Sequence, residues 1–427
     1  MKKRKSTLLL PLVAVIIIIA SVVLLYGNRG DEQLSPISVN KKQLPIDEQL
    51  KTRIDSFIAC DRHIGSLGLM AYDLTAQRSI YEYNVDSLYA PASCLKLLTC
   101  IATIQKYGRS YTYRNRLYTK GTIVGDTLVG EISLKLQFDP TFNRDSLFKL
   151  ITPLKLHIKH FRGRAVIDMS NYQPMTHEQH WIIGDLKTRR LGLCYQGGQR
   201  MRRELQTALI SQAGIRLQLD SIHLGVLNPH KATLISELRT PIQIPLRKAL
   251  KNSSNINAES LLYLLGYSVA HSNYRTNGRL ALQHFISHEL HIVPNDVSII
   301  HDGCGLCPDN RLTTRFLITL LRYAHAHKYI YKELTDGLAI AGTDGSLLHR
   351  LHQTNVRGLI RAKTGTLTRE GGISTLTGYY TNPTDSHLIA FAIMNTSCPV
   401  YDGRQWQDHF CQKVLLPKNI SKSKQTQ

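Results

Sequence analysis

The chain has 427 residues, 43% hydrophobic and 20% charged, which excludes an intrinsically disordered protein and exceeds what one ordinary core holds. Two or three domains are expected, and a core of that size needs no disulfide or metal to staple it. The formal net charge is +22; nucleic acid is set aside as a partner because the first residues export the chain, which leaves anionic membrane surfaces and extracellular polymers, or basic residues that serve only solubility.

Met1-Lys2-Lys3-Arg4-Lys5 is a basic cluster, and Leu8 to Tyr26 is an apolar run of 19 residues. Such a run is long enough to cross a bilayer as a helix, with the basic end inside. A cleaved signal peptide is the alternative, but no small-x-small site follows, which favours a retained anchor. Both place the rest of the chain outside the cytoplasm. Residues 1–30 are therefore read as anchor or signal, and the polar stretch 31–49, with Pro36 and Pro45, as a tether.

Gly68-Leu-Met-Ala-Tyr-Asp73 reads as a strand, Thr75-Ala-Gln-Arg78 as a turn and Ser79-Ile-Tyr-Glu-Tyr83 as the returning strand. Pro91 stands just ahead of an apolar helix that opens at Ser93 and runs to Ile104. Short strand-like runs such as Asp126–Leu136 and Gly163–Asp168 then dominate, so residues 106–241 read as an inserted region, mainly β with some helix. Helix is expected from Leu246 to about His271 and from Thr313 to Lys328, then strands at Gly372–Tyr380 and His387–Met394. Strands at both ends of a helical middle imply one sheet, formed by residues 50–105 and 242–418 and interrupted by the insertion. Residues 419–427 read as a loose basic tail.

Three short motifs carry chemistry. In Ser93-Cys94-Leu95-Lys96 the hydroxyl and the amine share one helix face. A serine is a poor nucleophile until a base takes its proton, and a lysine serves if burial and a helix N-terminus lower its pKa. The same spacing recurs at Ser38, Ser146 and Ser421, but only Ser93 opens an apolar helix. Alone, Ser93 reads as a serine capping its own helix, with Lys96 on the solvent face. Ser253-Ser254-Asn255 alone reads as a polar loop or N-cap; in a site, Ser253 would relay protons and Asn255 would bind a substrate amide. Lys363-Thr364-Gly365-Thr366 follows Val356–Ala362, the approach to a strand. Gly365 would let a substrate approach the backbone of an edge strand, and Lys363, Thr364 and Thr366 would hold a carboxylate; alone, the segment reads as a polar strand with a bulge glycine.

The order decides between these readings. Ser253 follows Ser93 by 160 residues and Lys363 follows Ser253 by 110, and S-x-x-K, S-x-N and K-T-G in that order is the pattern of class A β-lactamases and penicillin-binding proteins, with Ser254 here at the position of an Asp. From about Gly65 to Tyr401 the sequence resembles the class C low-molecular-mass penicillin-binding proteins, the D-alanyl-D-alanine carboxypeptidase/endopeptidase family. Family-like segments are Phe138–Thr141, Arg162–Asp168, Asn255–Leu261, Asp302–Leu306 and Ala341–Ser346. The long spacer between the first two motifs argues against class A β-lactamases.

The resemblance implies an α+β or α/β fold: a penicillin-binding transpeptidase-like domain, an antiparallel sheet with helices on both sides, interrupted by the mainly β insertion and preceded by the N-terminal anchor helix. It implies Ser93 as nucleophile, Lys96 as its base, Ser253 as proton shuttle, Asn255 as substrate ligand, Lys363 and Thr364 as carboxylate ligands, and the N–H groups of Ser93 and Thr366 as oxyanion hole. Substrates would be D-Ala-D-Ala peptides of peptidoglycan, β-lactams would be inhibitors, and no cofactor or metal is implied. Asp185, in Trp181–Asp185, matches an acidic residue that some members use on a diaminopimelate amine; an exposed structural Asp is the alternative. Where the family reads Asp-Gly-Ser-Gly-Leu-Ser-Arg, this chain has Asp302-Gly-Cys304-Gly-Leu-Cys307-Pro308, so the arginine is lost, with Arg311 three residues on. Cys304-x-x-Cys307 has no second pair to complete a zinc site and reads as structural, and Cys94 and Cys100 read as core. A β-lactamase, and a catalytically silent wall-binding or drug-sensing protein, are the competing functions.

Overall fold

The structure, a computed structural model, describes residues 48–168, 191–192, 197–228, 230–352, 355–368, 371–383 and 386–415. The chain divides into residues 1–44 and a compact unit from Pro45 onward. The proposed anchor 8–26, the tail 419–427 and Asp185 lie outside the described residues. Among the described residues no helix is long and apolar enough to cross a membrane.

After a helix at Glu48–Cys60 come β1 (Ser66–Asp73) and β2 (Arg78–Tyr83), close to the ranges expected. A 3-10 turn, Ala92–Leu95, leads into the serine helix Lys96–Tyr107. Next are β3 (Thr112–Val124), β4 (Thr127–Lys135), β5 (His160–Asp168), β6 (Ile222–Gly225) and β7 (Thr233–Pro241), with helices at Arg144–Ile151 and Gly197–Ala208. The expected helix 246–271 is two, Gln243–Lys251 and Asn255–Tyr267, followed by one at Tyr274–His288. A short pair, β8 (Ser298–Ile299) and β9 (Arg311–Leu312), precedes helices Thr314–Ala326 and Lys328–Gly337. Then come β10 (Ala339–Ile340), β11 (Ile360–Leu367), β12 (Ile373–Thr381), β13 (Leu388–Thr396) and a last helix, Val400–Phe410.

The main sheet has the order β10-β11-β12-β13-β1-β2 and is antiparallel throughout. Side chains alternate across a strand, and here both faces are buried. Leu67, Leu69 and Ala71 of β1 join Ile389, Phe391 and Ile393 of β13 under the first and last helices, with Ile54, Phe57, Trp406 and Phe410. Met70, Tyr72, Ala390, Ala392 and Met394 point the other way, into the core of the serine helix and helix Thr314–Ala326. Helices therefore flank the sheet on both sides. Each buried Leu or Ile contributes about 1.5–3 kcal/mol, so Leu97, Leu98, Ile101 and Ile104, all buried, fix the serine helix firmly.

Residues 112–241 supply a second sheet, β6-β5-β4-β3-β7. It is mixed: β4–β5 and β5–β6 are parallel, and β3 pairs antiparallel with β4 and β7. One face is buried, with Leu117, Ile132, Leu134, Ala165 and Ile167 packed against Leu147, Leu150, Met201 and Leu205. Polar positions of β3 and β4 alternate outward, as a one-sided sheet requires.

Candidate active site

Ser93 does not open the α-helix. It sits in the 3-10 turn before it, and Lys96 is the first α-helical residue. Residues i and i+3 eclipse in a 3-10 turn, and Lys96 Nζ donates to Ser93 Oγ at 2.8 Å. The N-cap of the helix is Leu95, not Ser93, and Lys96 is fully buried, so the capping reading, with a solvent-facing lysine, is excluded. The comparable spacing at Ser146 shows only the solvent-facing lysine: Asn143, not Ser146, caps that helix, Ser146 donates to Asn143 Oδ1 at 3.1 Å, and Lys149 is exposed.

Lys96 Nζ also donates to Asn255 Oδ1 at 2.9 Å and to the Cys304 carbonyl at 2.6 Å. Burial pushes its pKa down, while the acidic groups of Cys304, Asp302 and Glu259 pull the other way. A neutral amine in this position is a base for Ser93.

The helix break at 252–254 presents Ser253. Its φ is +56°, a conformation costly for a residue with a Cβ. Lys363 Nζ reaches across to Ser253 Oγ at 2.8 Å and to the Thr364 carbonyl at 2.7 Å. Lys363 is fully buried; burial first, then the neighbouring Lys96, lower its pKa to about 7. Thr364 Oγ1 donates to Ser346 Oγ at 2.7 Å, and Thr366 Oγ1 accepts from Arg404 Nη2 at 2.9 Å. Ser93, Ser253, Asn255, Thr364 and Thr366 are partly exposed around the two buried lysines. All three motifs thus meet at one place.

Gly365 acts differently from expectation. A Cβ there would lie 2.1 Å from Thr375 Oγ1 and 2.7 Å from the Pro91 carbonyl. The missing side chain lets β11 lie against the turn that carries Ser93, rather than making room for a substrate. The strand is an edge beyond Ala362, where β10 pairing stops.

Beneath Lys96, the Asp302 carboxylate accepts from the N–H groups of Gly305, Leu306 and Cys307 and from Asn310 Nδ2. Glu259 accepts from Gly303 N–H at 2.6 Å. Burial, with Asp302 next, raises the Glu259 pKa to about 8. Glu259, Asp302 and Cys304 offer ligand atoms within 4.8 Å of one another, but the two carboxylates are engaged by these N–H donors. Arg311 bonds the Pro308 and Asn310 carbonyls, so it braces its own loop. Cys304 and Cys307 are buried free thiols, as are Cys94 and Cys100. Glu259, Asp302 and Ser346 stood in segments the sequence marks as family-like without assigning them roles; Arg404, a lone arginine on a helix, gave no signal.

A buried lysine against an accessible serine, with a second Ser–Lys pair on the sheet edge, is the arrangement of an activated serine nucleophile. The model of the D-Ala-D-Ala carboxypeptidase 3 (S13) family matches residues 50–191 and 187–412, and the chain belongs to that family. It is 28% identical over 175 residues to a D-alanyl-D-alanine carboxypeptidase of Actinomadura sp., covering 40% of this chain and 30% of that enzyme's length. A carboxypeptidase of Mycobacterium tuberculosis is 24% identical over 386 residues, 84% of this chain and 82% of the relative. The crystal structure of penicillin binding protein 4 from Haemophilus influenzae superposes with a TM-score of 0.66 at 20% identity, covering 81% of this chain and 92% of that one; the likeness is one of fold.

Proposed function

We propose that the protein is a serine DD-carboxypeptidase/endopeptidase that cleaves D-Ala-D-Ala termini, and cross-links, of peptidoglycan peptides through an acyl-enzyme. The observation that carries this is the buried Lys96 amine, hydrogen-bonded at once to Ser93 Oγ and Asn255 Oδ1. In this reading neutral Lys96 takes the Ser93 proton as Oγ bonds to the carbonyl carbon. The N–H groups of Ser93 and Thr366 take the oxyanion, a contribution of about 3–4 kcal/mol for such donors. Ser253, paired with Lys363, passes a proton to the leaving amine as the C–N bond breaks, and D-Ala departs. Water then releases the acyl group. Asn255 Oδ1 is held by Lys96, which leaves Nδ2 for a substrate carbonyl. Thr364, Thr366 and Lys363 take the terminal carboxylate, and β-lactams acylate Ser93 by the same route.

The catalytic unit is residues 50–105 and 242–418, with 106–241 inserted. The chain works outside the cytoplasm, held by residues 8–26 or released after their cleavage. Asp185 serves the stem-peptide amine in this scheme. The test is intact-protein mass spectrometry after penicillin, beside Ser93→Ala. A stable adduct on the parent alone, with D-Ala released from wall peptides, is expected. Hydrolysed penicillin without an adduct would make the protein a β-lactamase, and intact penicillin without an adduct would leave only a binding role.

A further inference from the structure

The last helix is held to the sheet at the edge of the site. A Cβ on Gly403 would lie 2.9 Å from Ser374 Cβ, so the helix rests directly on β12. Gln407, one turn on, fastens it: Nε2 donates to Asn395 Oδ1 at 2.9 Å and Oε1 accepts from Ser374 Oγ at 3.3 Å. Ser374 is the cross-strand partner of Thr366. The residue after Gly403 therefore arrives over Thr366, and Arg404 Nη2 donates to Thr366 Oγ1.

The Arg404 side chain is exposed, and among the described residues Thr366 Oγ1 is its sole acceptor. Asp408, the acid one turn along, is held by Arg350 at 2.6 Å. A guanidinium has five donors and takes carboxylates in a two-point grip; it also keeps its charge at any working pH. Lys363 offers neither property. It is buried, its ammonium is engaged by Ser253 and the Thr364 carbonyl, and its pKa of about 7 leaves it part neutral at neutral pH. The row of Thr364 and Thr366 hydroxyls thus ends on a permanent cation that has no ion-pair contact among the described residues.

We infer that Arg404 is a specificity residue of this site: it extends the Thr364–Thr366 row and binds the free carboxylate of the substrate's leaving residue, or of a β-lactam. This rests on the acyl-enzyme reading above.

The test compares acylation of the full chain by benzylpenicillin and by its methyl ester, which lacks the carboxylate. The parent, Arg404→Ala and Arg404→Gln are followed by intact mass. A charge-assisted hydrogen bond contributes about 1.5–3 kcal/mol, so both variants should lose about tenfold or more in rate with the free acid and stay within about twofold with the ester. The glutamine variant keeps a donor for Thr366 without the charge. If it restores the parent rate, or if acid and ester fall together, Arg404 only orders Thr366 and the inference is overturned. A parent acylated by the acid, with variants equal to it, also overturns it while leaving the acyl-enzyme reading intact. A parent acylated by neither compound sinks that reading, and this inference with it.

Discussion

Lys96 owes its position to a carbonyl, and that carbonyl owes its position to Glu259. The Cys304 oxygen that accepts from Lys96 belongs to a loop pinned on both sides of Gly303: its N–H donates to Glu259 and its carbonyl accepts from Thr99 Oγ1 at 2.7 Å. With a pKa of about 8, Glu259 is mostly protonated at neutral pH, so its neutral isostere should be a good replacement. Glu259→Gln is expected to acylate with penicillin within about threefold of the parent at pH 7. Glu259→Ala leaves the Gly303 N–H unpaired at a cost of about 1–3 kcal/mol, and its acylation should fall at least tenfold. The pH dependence of stability separates charge from shape. The folded pKa lies above the ordinary 4.5, so Glu259 stabilises the fold fully below pH 4.5 and this contribution is lost as pH rises through about 8. Lys363 acts oppositely. Its folded pKa of about 7 lies below the ordinary 10.5, so the unfolded chain binds the extra proton between them and stability rises with pH across that window. Denaturant midpoints from pH 5 to 10 should show a decline below pH 8 that Glu259→Gln removes; an unchanged slope in the variant would mean the carboxyl does not carry the extra proton.

Two segments clamp the 3-10 turn that carries Ser93. On one side is β11 at Gly365, braced by Thr375 Oγ1 donating to the Pro91 carbonyl at 2.9 Å. On the other is the Asp302 loop, where a Cβ on Gly305, at φ +77°, would lie 1.8 Å from the Ala92 carbonyl. Ala92 itself has φ +46°, so the clamp holds the turn in a strained conformation. Gly365→Ala or Gly305→Ala should cost about 1–3 kcal/mol of stability by overpacking and slow Ser93 acylation by roughly 100-fold, about 2.7 kcal/mol in the barrier. Gly358 (φ +79°) faces open space, so Gly358→Ala should lose stability without slowing acylation. Matched loss in all three, read by thermal melts beside acylation rates, would mean the clamp has no special part. Such elements explain what the sequence conceals. The three motifs are legible because the chemistry demands those residue types in that order. The helix break at Ser253 is legible only in part: Ser253-Ser254-Asn255 reads as a polar loop or N-cap, but Lys251-Asn-Ser-Ser-Asn255 holds no proline or glycine, so a single helix is expected to run through it. Ser346 and Arg404 are not legible, because they reach Thr364 and Thr366 only through the pairing of β11 with its surroundings.

At the scale of the whole molecule, the strands flanking the insertion could be read from their alternation, but its mixed sheet and the Phe138 contact could not, since both depend on partners far along the chain. The insertion leaves and returns at one point: Thr112 on β3 pairs with Pro241 on β7, and Ile242 N–H donates to the Tyr111 carbonyl at 3.1 Å. Ends this close can be joined by a short turn without moving either neighbour. Among the described residues, the serine turn, the Ser253 break and β11 make none of their site hydrogen bonds to the segment 112–241. The insertion does touch the catalytic core, where the Phe138 ring packs edge-on against Tyr263 at 5.9 Å and Tyr274 at 5.1 Å. Replacing residues 113–240 by a short Gly/Ser turn should therefore give a protein that folds and is labelled by penicillin at Ser93 within about tenfold of the parent rate (about 1.4 kcal/mol). Uncovering Tyr263 and Tyr274 should lower its stability by about 2–4 kcal/mol, in the range of large-to-small core changes. Tyr263→Gln or Tyr274→Gln in the shortened chain should recover solubility but not stability. A shortened chain that folds, by circular dichroism and a cooperative melt, yet takes no label would show that the second sheet shapes the site, and that the catalytic unit extends into residues 106–241.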